Sequence, residues 1–201
     1  MLIVFEGIDG TGKGTQIKKL LVFLRQNKVK VKLHKYPTKK AIEVFAHLVG
    51  KKTVPPMKLA KIFAKDIVDE RMKIKKEISD GNVVICDRYL HSTLAYQGAL
   101  VGFEKLLAML EKEKVCTPDL VILLDVDPQL SAKRKKAQKI PDRFEKDLLF
   151  LKKVRKNYLK MAKQGFCAYS YGIVNAAQKA DEVFTKVITF VEPIVVKKMG
   201  K

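Results

Sequence analysis

The chain has 201 residues and carries 41 lysines and arginines against 21 aspartates and glutamates, a net charge of +20. That length bounds one domain, residues 1–201, with a substantial core. No apolar run approaches the roughly twenty residues that cross a bilayer, and the N-terminus shows no signal-like pattern, so a cytoplasmic protein is expected. Cys86, Cys116 and Cys167 have neither metal-ligand spacing nor the even count of a disulfide framework, and read as buried or incidental thiols.

Leu2 to Phe5 reads as a buried strand. Gly7-Ile8-Asp9-Gly10-Thr11-Gly12-Lys13 follows it and opens onto the amphipathic pattern of Gln16 to Leu21. A glycine-rich turn between strand and helix lets successive backbone N–H groups converge on an anion, beside the partial positive charge of the helix N-terminus. The spacing fits the phosphate loop G-x-x-x-x-G-K-[S/T], placed here over 7–15, except that Gly14 replaces the hydroxyl that ordinarily ligates magnesium. The same G-K-G-T run occurs in adenylate kinases, where nucleotide oxygens, water and an aspartate beyond a later strand hold the ion. That arrangement is expected here, with Thr15 as a phosphate contact.

A second strand is expected over Val29 to Leu33, followed by Tyr36-Pro37-Thr38-Lys39-Lys40. Met57 to Asp80 reads as one long helix, with Leu59, Phe63, Ile67, Ile74 and Ile78 on a stripe, introduced by Pro55-Pro56 and closed by Gly81. Val83 to Cys86 is the third strand, followed by Asp87-Arg88-Tyr89 and the run to Gly98. Leu120 to Leu124 is apolar throughout, as in a central strand covered on both faces. Asp125-Val126-Asp127-Pro128 follows it, then a basic segment ending in Asp142-Arg143-Phe144-Glu145. Gly172 to Val174 is the fifth strand, with Asn175-Ala176-Ala177 beyond it. Alternation of this kind predicts an α/β fold, a P-loop three-layer α/β/α arrangement with a five-stranded parallel sheet and a short lid segment at about 132–145. Ligands of such sheets sit beyond the carboxyl ends of the strands, where these polar clusters fall.

The motifs Phe5-Glu6-Gly7-Ile8-Asp9-Gly10-Thr11-Gly12-Lys13, Tyr36-Pro37, Asp87-Arg88-Tyr89-x-x-Ser92-x-x-Ala95-Tyr96-Gln97-Gly98, Pro118-Asp119-Leu120 and Asp142-Arg143-x-Glu145 together resemble the thymidylate kinase family, nearly end to end. The resemblance implies ATP-dependent phosphorylation of dTMP to dTDP, with Mg2+, commonly in a homodimer. It assigns Gly7, Asp9, Gly10, Thr11, Gly12, Lys13, Gly14 and Thr15 to ATP, with Asn175 beside adenine where the family has Asp. Arg88 matches the arginine of the acceptor phosphate, and Lys39 falls where relatives often carry another. Asp87 is expected to position magnesium through water. Asp9 matches the acid that meets the acceptor 3′-hydroxyl, and Tyr96 the ring that crowds the 2′ position. Phe63 matches the ring stacked on thymine, with Tyr36, Pro37, Ser92, Thr93 and Gln97 around the same pocket.

Two departures stand out. Some members of the family carry a catalytic arginine in the loop where this chain has Gly10, and members with Gly or Ala there use basic lid residues instead, for which Arg134, Lys136 and Arg143 are the candidates here, Arg143 fixed by the Asp142-Arg143-x-Glu145 spacing. Where the family reads the pyrimidine O4 with an arginine, this chain has Ile67. Arg71 lies one turn further, about 12 Å along the axis from Phe63 at 1.5 Å per residue, and is the candidate substitute for that arginine if the helix is shifted or its side chain reaches back.

The chemistry suits these residue types independently. A phosphate acceptor is already anionic near neutral pH, so catalysis reduces to alignment and charge neutralisation, for which Lys13, Arg88, Lys39 and the basic segment supply cations. Acceptors such as dUMP, dCMP, dGMP or AMP form the nearer alternative. A non-catalytic basic P-loop protein binding nucleic acid is the more distant one, because the lysines are scattered and no aromatic-interleaved basic stripe appears.

Overall fold

The computed structural model describes residues 1–136 and 147–199. Its strands are β1 (Leu2–Glu6), β2 (Val31–Lys35), β3 (Val83–Asp87), β4 (Leu120–Asp125) and β5 (Tyr171–Asn175), and its helices α1 (Lys13–Gln26), α2 (Ile42–Leu48), α3 (Pro56–Asp69), α4 (Arg71–Ser79), α5 (Leu90–Val101), α6 (Phe103–Leu110), α7 (Pro128–Lys136), α8 (Leu148–Gln164) and α9 (Ala180–Met199). The strands form one parallel sheet in the order β2-β3-β1-β4-β5. Helix α1 packs against α9, while α5 packs against α3, α6 and α8. Helices on both faces explain why β1 is buried at every residue and β4 at all but its last. The rims are different. β2 leaves Val31, Lys32, Leu33 and Lys35 partly or fully exposed, as an outer strand with one covered face does.

The sheet order places β1 between β3 and β4, so the chain leaves β1 toward one side and later returns to the other. A crevice therefore opens at the carboxyl ends of these three strands, where the phosphate loop, Asp87-Arg88 and Asp125 come together.

Two expectations are corrected. The second strand begins at Val31, not Val29, because Val29 is used to close α1. Lys28 takes φ 59°, and Val29 N–H donates to the Leu24 carbonyl at 2.9 Å, the closing bond of a Schellman turn. The long helix expected over Met57 to Asp80 is two helices separated at Glu70, with α3 starting one residue earlier on Pro56. Its apolar stripe survives the break: Leu59, Ile67 and Ile74 are all buried. Ile74 N–H still donates to the Glu70 carbonyl at 3.0 Å and Glu70 keeps a right-handed helical backbone, φ −85° and ψ −5°, so the buried face stays in phase across the break.

Among the described residues, no helix is long and apolar enough to cross a membrane.

Candidate active site

Three glycines of the loop take left-handed or otherwise positive φ, and two of them also lack room for a side chain. A Cβ on Gly7 would strike the Leu124 carbonyl of β4, and one on Gly10 would lie 2.7 Å from the Ser131 carbonyl of α7. Gly12 caps α1 without any side-chain hydrogen bond to the first turn, and Gly12, Gly14 and Thr15 are exposed there. Helix-start N–H groups without a side-chain cap are what an anion needs. Lys13 is buried, its Nζ donating to the Gly7 and Ile8 carbonyls at 2.8 and 2.9 Å. Burial and then the Arg88 charge push its pKa down to about 8, against the pull of Asp9 and Asp87.

Beside the loop lies a pocket lined by Asp9, Tyr36, Pro37, Phe63, Ile67, Arg88, Ser92, Thr93, Tyr96 and Gln97, all read from the sequence, together with Leu48 and Tyr89, which were not. Four of these come from one face of α5, since Ser92, Thr93, Tyr96 and Gln97 recur at helical spacing. Phe63 and Ile67 sit one turn apart on α3, so the ring and the aliphatic side chain border the same space. Tyr36 and Pro37 arrive through the turn after β2. Asp66 of α3 holds that turn, accepting from the Thr38 N–H at 2.7 Å and from its hydroxyl.

Arg88 ends the strand side of the pocket with φ 70°, uncommon for a residue with a side chain. Its Nη1 donates to Ser92 Oγ at 2.9 Å, the Gly7 carbonyl at 3.3 Å and Tyr158 Oη at 3.4 Å, and its Nη2 pairs with Asp9. Tyr96 donates its hydroxyl to the other Asp9 oxygen at 2.9 Å, and the Arg88 guanidinium lies 5.4 Å from the centre of the Tyr96 ring. Burial works against ionisation of Asp9, yet Arg88 first, then Lys13 and Lys135, hold its carboxyl well below the usual range. Beneath this layer is Glu6, wholly buried, which accepts from Tyr89 N–H (2.7 Å), Ser92 N–H (3.2 Å), Ser92 Oγ (2.6 Å) and Tyr158 Oη (2.9 Å).

Not every expected residue is gathered here. Arg71 begins α4 and turns its guanidinium to the Lys114 carbonyl at 3.2 Å, and is not among the residues lining the pocket. Lys39 is exposed on the turn and does not line the pocket either; its neighbour Lys40 pairs with Glu70 at 2.8 Å. Arg134 forks onto the Ala176 and Ala177 carbonyls at 2.7 and 3.0 Å, tying α7 to the loop after β5. In that loop Asn175 accepts from Ala177 N–H at 3.0 Å, so an oxygen acceptor is kept where Asp was expected. Arg143 and most of the expected lid lie outside the described residues, as does the side chain of Lys136. Lys135 is the basic side chain placed over the loop, its Cγ 3.2 Å from the Cβ that Gly10 lacks. Ser131, one turn earlier, donates its hydroxyl to the Asp9 carbonyl. Lys135 falls inside the basic lid segment expected at about 132–145 but is not singled out there, and nothing in the sequence marks Ser131. Tyr158 arrives from α8, remote in sequence, and was likewise unmarked.

Among the described residues no three acidic, histidine or cysteine side chains cluster as a metal cage. Asp87 faces Lys35 at 3.8 Å and Asp9 is shared between Arg88 and Tyr96. Such a donor set suits a magnesium ion that keeps most of its waters and takes its remaining ligands from phosphate oxygens.

The site thus combines a glycine-rich loop at a helix start without a side-chain cap, an arginine beside it that pairs with Asp9, and an aromatic-walled pocket adjoining that arginine. It can bring two phosphates together and neutralise their repulsion. Comparison with known proteins agrees. Residues 5–187 match the family model described as thymidylate kinase. A probable thymidylate kinase of Thermococcus onnurineus is 36% identical over 209 residues, covering 98% of this chain and 100% of that one. Another, from Pyrobaculum calidifontis, is 36% identical over 96% of each chain, and the thymidylate kinase of Maridesulfovibrio salexigens is 34% identical over 93% of each.

Proposed function

The chain belongs to the thymidylate kinase family, and from that membership we propose that its site transfers the γ-phosphoryl group of ATP to dTMP, giving dTDP and ADP. The observation that carries this reading is the adjacency of the glycine-rich loop over 7–15 and the Arg88 guanidinium, whose Nη1 reaches the Gly7 carbonyl at 3.3 Å, with an aromatic pocket opening beside it. The acceptor needs no strong base, because its phosphate oxygen is already anionic. What the protein must supply is approach, and positive charge that neutralises the repulsion of two negatively charged groups.

In this reading the loop N–H groups and the first turn of α1 cradle the donor phosphates, and Lys13 leaves the Gly7 and Ile8 carbonyls for the outer ones. The acceptor phosphate takes the Arg88 fork in part from Asp9. Asp9 then keeps an oxygen for the sugar hydroxyl, while the Tyr96 ring fills the space a ribose 2′-hydroxyl would occupy. The base lies against Phe63 with Ile67 beside it. Among the described residues, Lys135, set over Gly10, is the lid cation that would neutralise the phosphoryl group in transit, with Arg134 holding the wall of the adenine side. Asp87 would hold magnesium through water, and the ion when bound supplies charge neutralisation of the donor phosphates. A homodimer is the assembly expected of a member of this family.

A coupled assay with ATP and a panel of monophosphates tests the reading. dTMP is expected to give the highest kcat/KM. Turnover of another monophosphate with none of dTMP would overturn the assignment.

A further inference from the structure

We propose that Glu6, which the pocket does not expose, is a positioning residue that aims the Arg88 guanidinium at the acceptor phosphate through the hydroxyls of Ser92 and Tyr158. The proposal rests on the kinase reading above. A serine or tyrosine hydroxyl has one hydrogen to donate. Both hydroxyls lie against the same Glu6 oxygen, Ser92 Oγ at 2.6 Å and Tyr158 Oη at 2.9 Å, and they also lie 2.9 Å from each other. A hydrogen bond to an ionised acceptor is the stronger one, so the shared carboxylate oxygen draws both hydrogens in preference to the hydroxyl–hydroxyl contact. The lone pairs of both hydroxyls are then left facing outward, where Arg88 Nη1 donates to them at 2.9 and 3.4 Å. Without a carboxylate beneath, either hydrogen can rotate toward the guanidinium and oppose it donor to donor.

The backbone of Arg88 is referenced to the same strand. Its N–H donates to the Phe5 carbonyl at 3.0 Å, and the next N–H, that of Tyr89, donates to Glu6 at 2.7 Å. These bonds hold the φ of 70°. Glu6 also takes the Ser92 N–H at 3.2 Å, so a carboxylate from β1 caps the start of α5, where Tyr89 provides no cap of its own. Half of the Arg88 fork thus rests on a fixed support, and the other half, Nη2 on Asp9, faces the pocket and can exchange Asp9 for phosphate. Burial pushes the Glu6 carboxyl up, and the Arg88 charge is the first influence pulling it back. The pair is therefore mutually supporting: the arginine favours the ionised carboxylate that orients its acceptors.

Glu6→Gln keeps the size and one oxygen for the α5 cap but offers an amide donor to the hydroxyls. It is expected to raise the KM and the calorimetric Kd for dTMP about ten-fold while moving the KM for ATP less than about two-fold. In an Arg88→Ala background the same substitution is expected to add less than about a two-fold further loss, because residues acting through one another are not additive. Tyr158→Phe, which removes one relay hydroxyl and keeps the ring, is expected to move dTMP affinity in the same direction, and it decides the matter if Glu6→Gln does not fold. Equal losses for ATP and dTMP, a full loss repeated in the Arg88→Ala background, or a silent Tyr158→Phe would each overturn the proposal. If the wild type neither binds nor phosphorylates dTMP, the kinase reading falls and the proposal with it. If the wild type turns over dTMP and the variants match it, the positioning role alone falls.

Discussion

At the scale of single residues the site is governed by charges held close together in a small volume. Lys13 stays buried against two carbonyls until a phosphate offers more, and its pKa of about 8 places the loss of its proton near the working range. Lys13→Ala is expected to lower kcat about a hundred-fold or more with cooperative melting retained, the scale typical of removing one transition-state cation. In the wild type, kcat/KM for ATP is expected to fall above about pH 8. The stability sign is the opposite. Unfolded Lys13 keeps its proton to about 10.5, so between these values the unfolded chain binds more protons and this group adds stability as pH rises. Base choice is likewise expected to turn on one side chain. Ile67 lines the pocket with 1% of its surface exposed, and the nearest arginine on the chain, Arg71, is committed to Lys114. Apolar contact and stacking separate similar rings by only about 1 to 3 kcal/mol, whereas a hydrogen-bonded base edge rejects misfits by leaving buried groups unpaired. The wild type is therefore expected to discriminate loosely among deoxyribonucleoside monophosphates. Ile67→Arg is expected to sharpen preference for dTMP and dUMP, and Arg71→Ala to leave the ranking unchanged; a ranking that collapses in Arg71→Ala would move the base reader to Arg71.

At the scale of elements, function depends on how turns are pinned to helices. The Tyr36-Pro37-Thr38 turn belongs to β2, yet its place is set by Asp66 on α3, which takes both the N–H and the hydroxyl of Thr38. Asp66→Ala leaves those groups without their partner and is expected to cost about 1 to 3 kcal/mol of stability. The KM for dTMP is expected to rise several-fold and that for ATP to stay put, because the turn lines only the acceptor pocket. Steady-state kinetics with each substrate varied in turn check this. On the donor side, α7 touches the loop through Ser131 on Asp9 and through the space beside Gly10. The loop and the start of the lid therefore behave as one packed unit, and a side chain at position 10 would force α7 away.

At the scale of the whole molecule, His91 joins elements that lie far apart in sequence. It is buried on α5, its Nε2 meets the Phe166 carbonyl at 3.0 Å, and its ring packs edge-on against Phe166 and Tyr171. Burial pushes its pKa down to about 4, against the bond to the Phe166 carbonyl, from an ordinary 6.5. Between those values the unfolded chain binds the proton that the folded one refuses, so stability present above about pH 6.5 is lost as pH falls through this window, on the order of 3 kcal/mol at most. Thermal melting of His91→Gln against pH is expected to show a shallower acid slope than the wild type; identical slopes would remove His91 from the account. The net charge of +20 acts at this scale too, drawing phosphate-bearing ligands toward the molecule as a whole and fading with added salt.

The sequence by itself determined whatever is local or periodic. Gly7 to Lys13 announced a phosphate loop because its glycines and lysine act within one turn, and the apolar runs of β1, β3 and β4 announced a covered parallel sheet because burial on both faces leaves a continuous apolar signature. Most of the pocket beside the loop was legible for the same reason, since Phe63 with Ile67, and Ser92 to Gln97, each share one helix face. The closing of α1 by Val29 is local, but it rests on a positive φ at Lys28 that no glycine marks. Only the tertiary structure decided which residues from separate elements meet. That Arg71 turns away from the pocket to Lys114, and that Lys135 and Ser131 sit over Gly10, depend on partners many residues distant. Glu6 is the clearest case. As the last residue of a buried strand it carries no periodic signal, and its role exists only once α5 and α8 bring Ser92 and Tyr158 to its carboxylate.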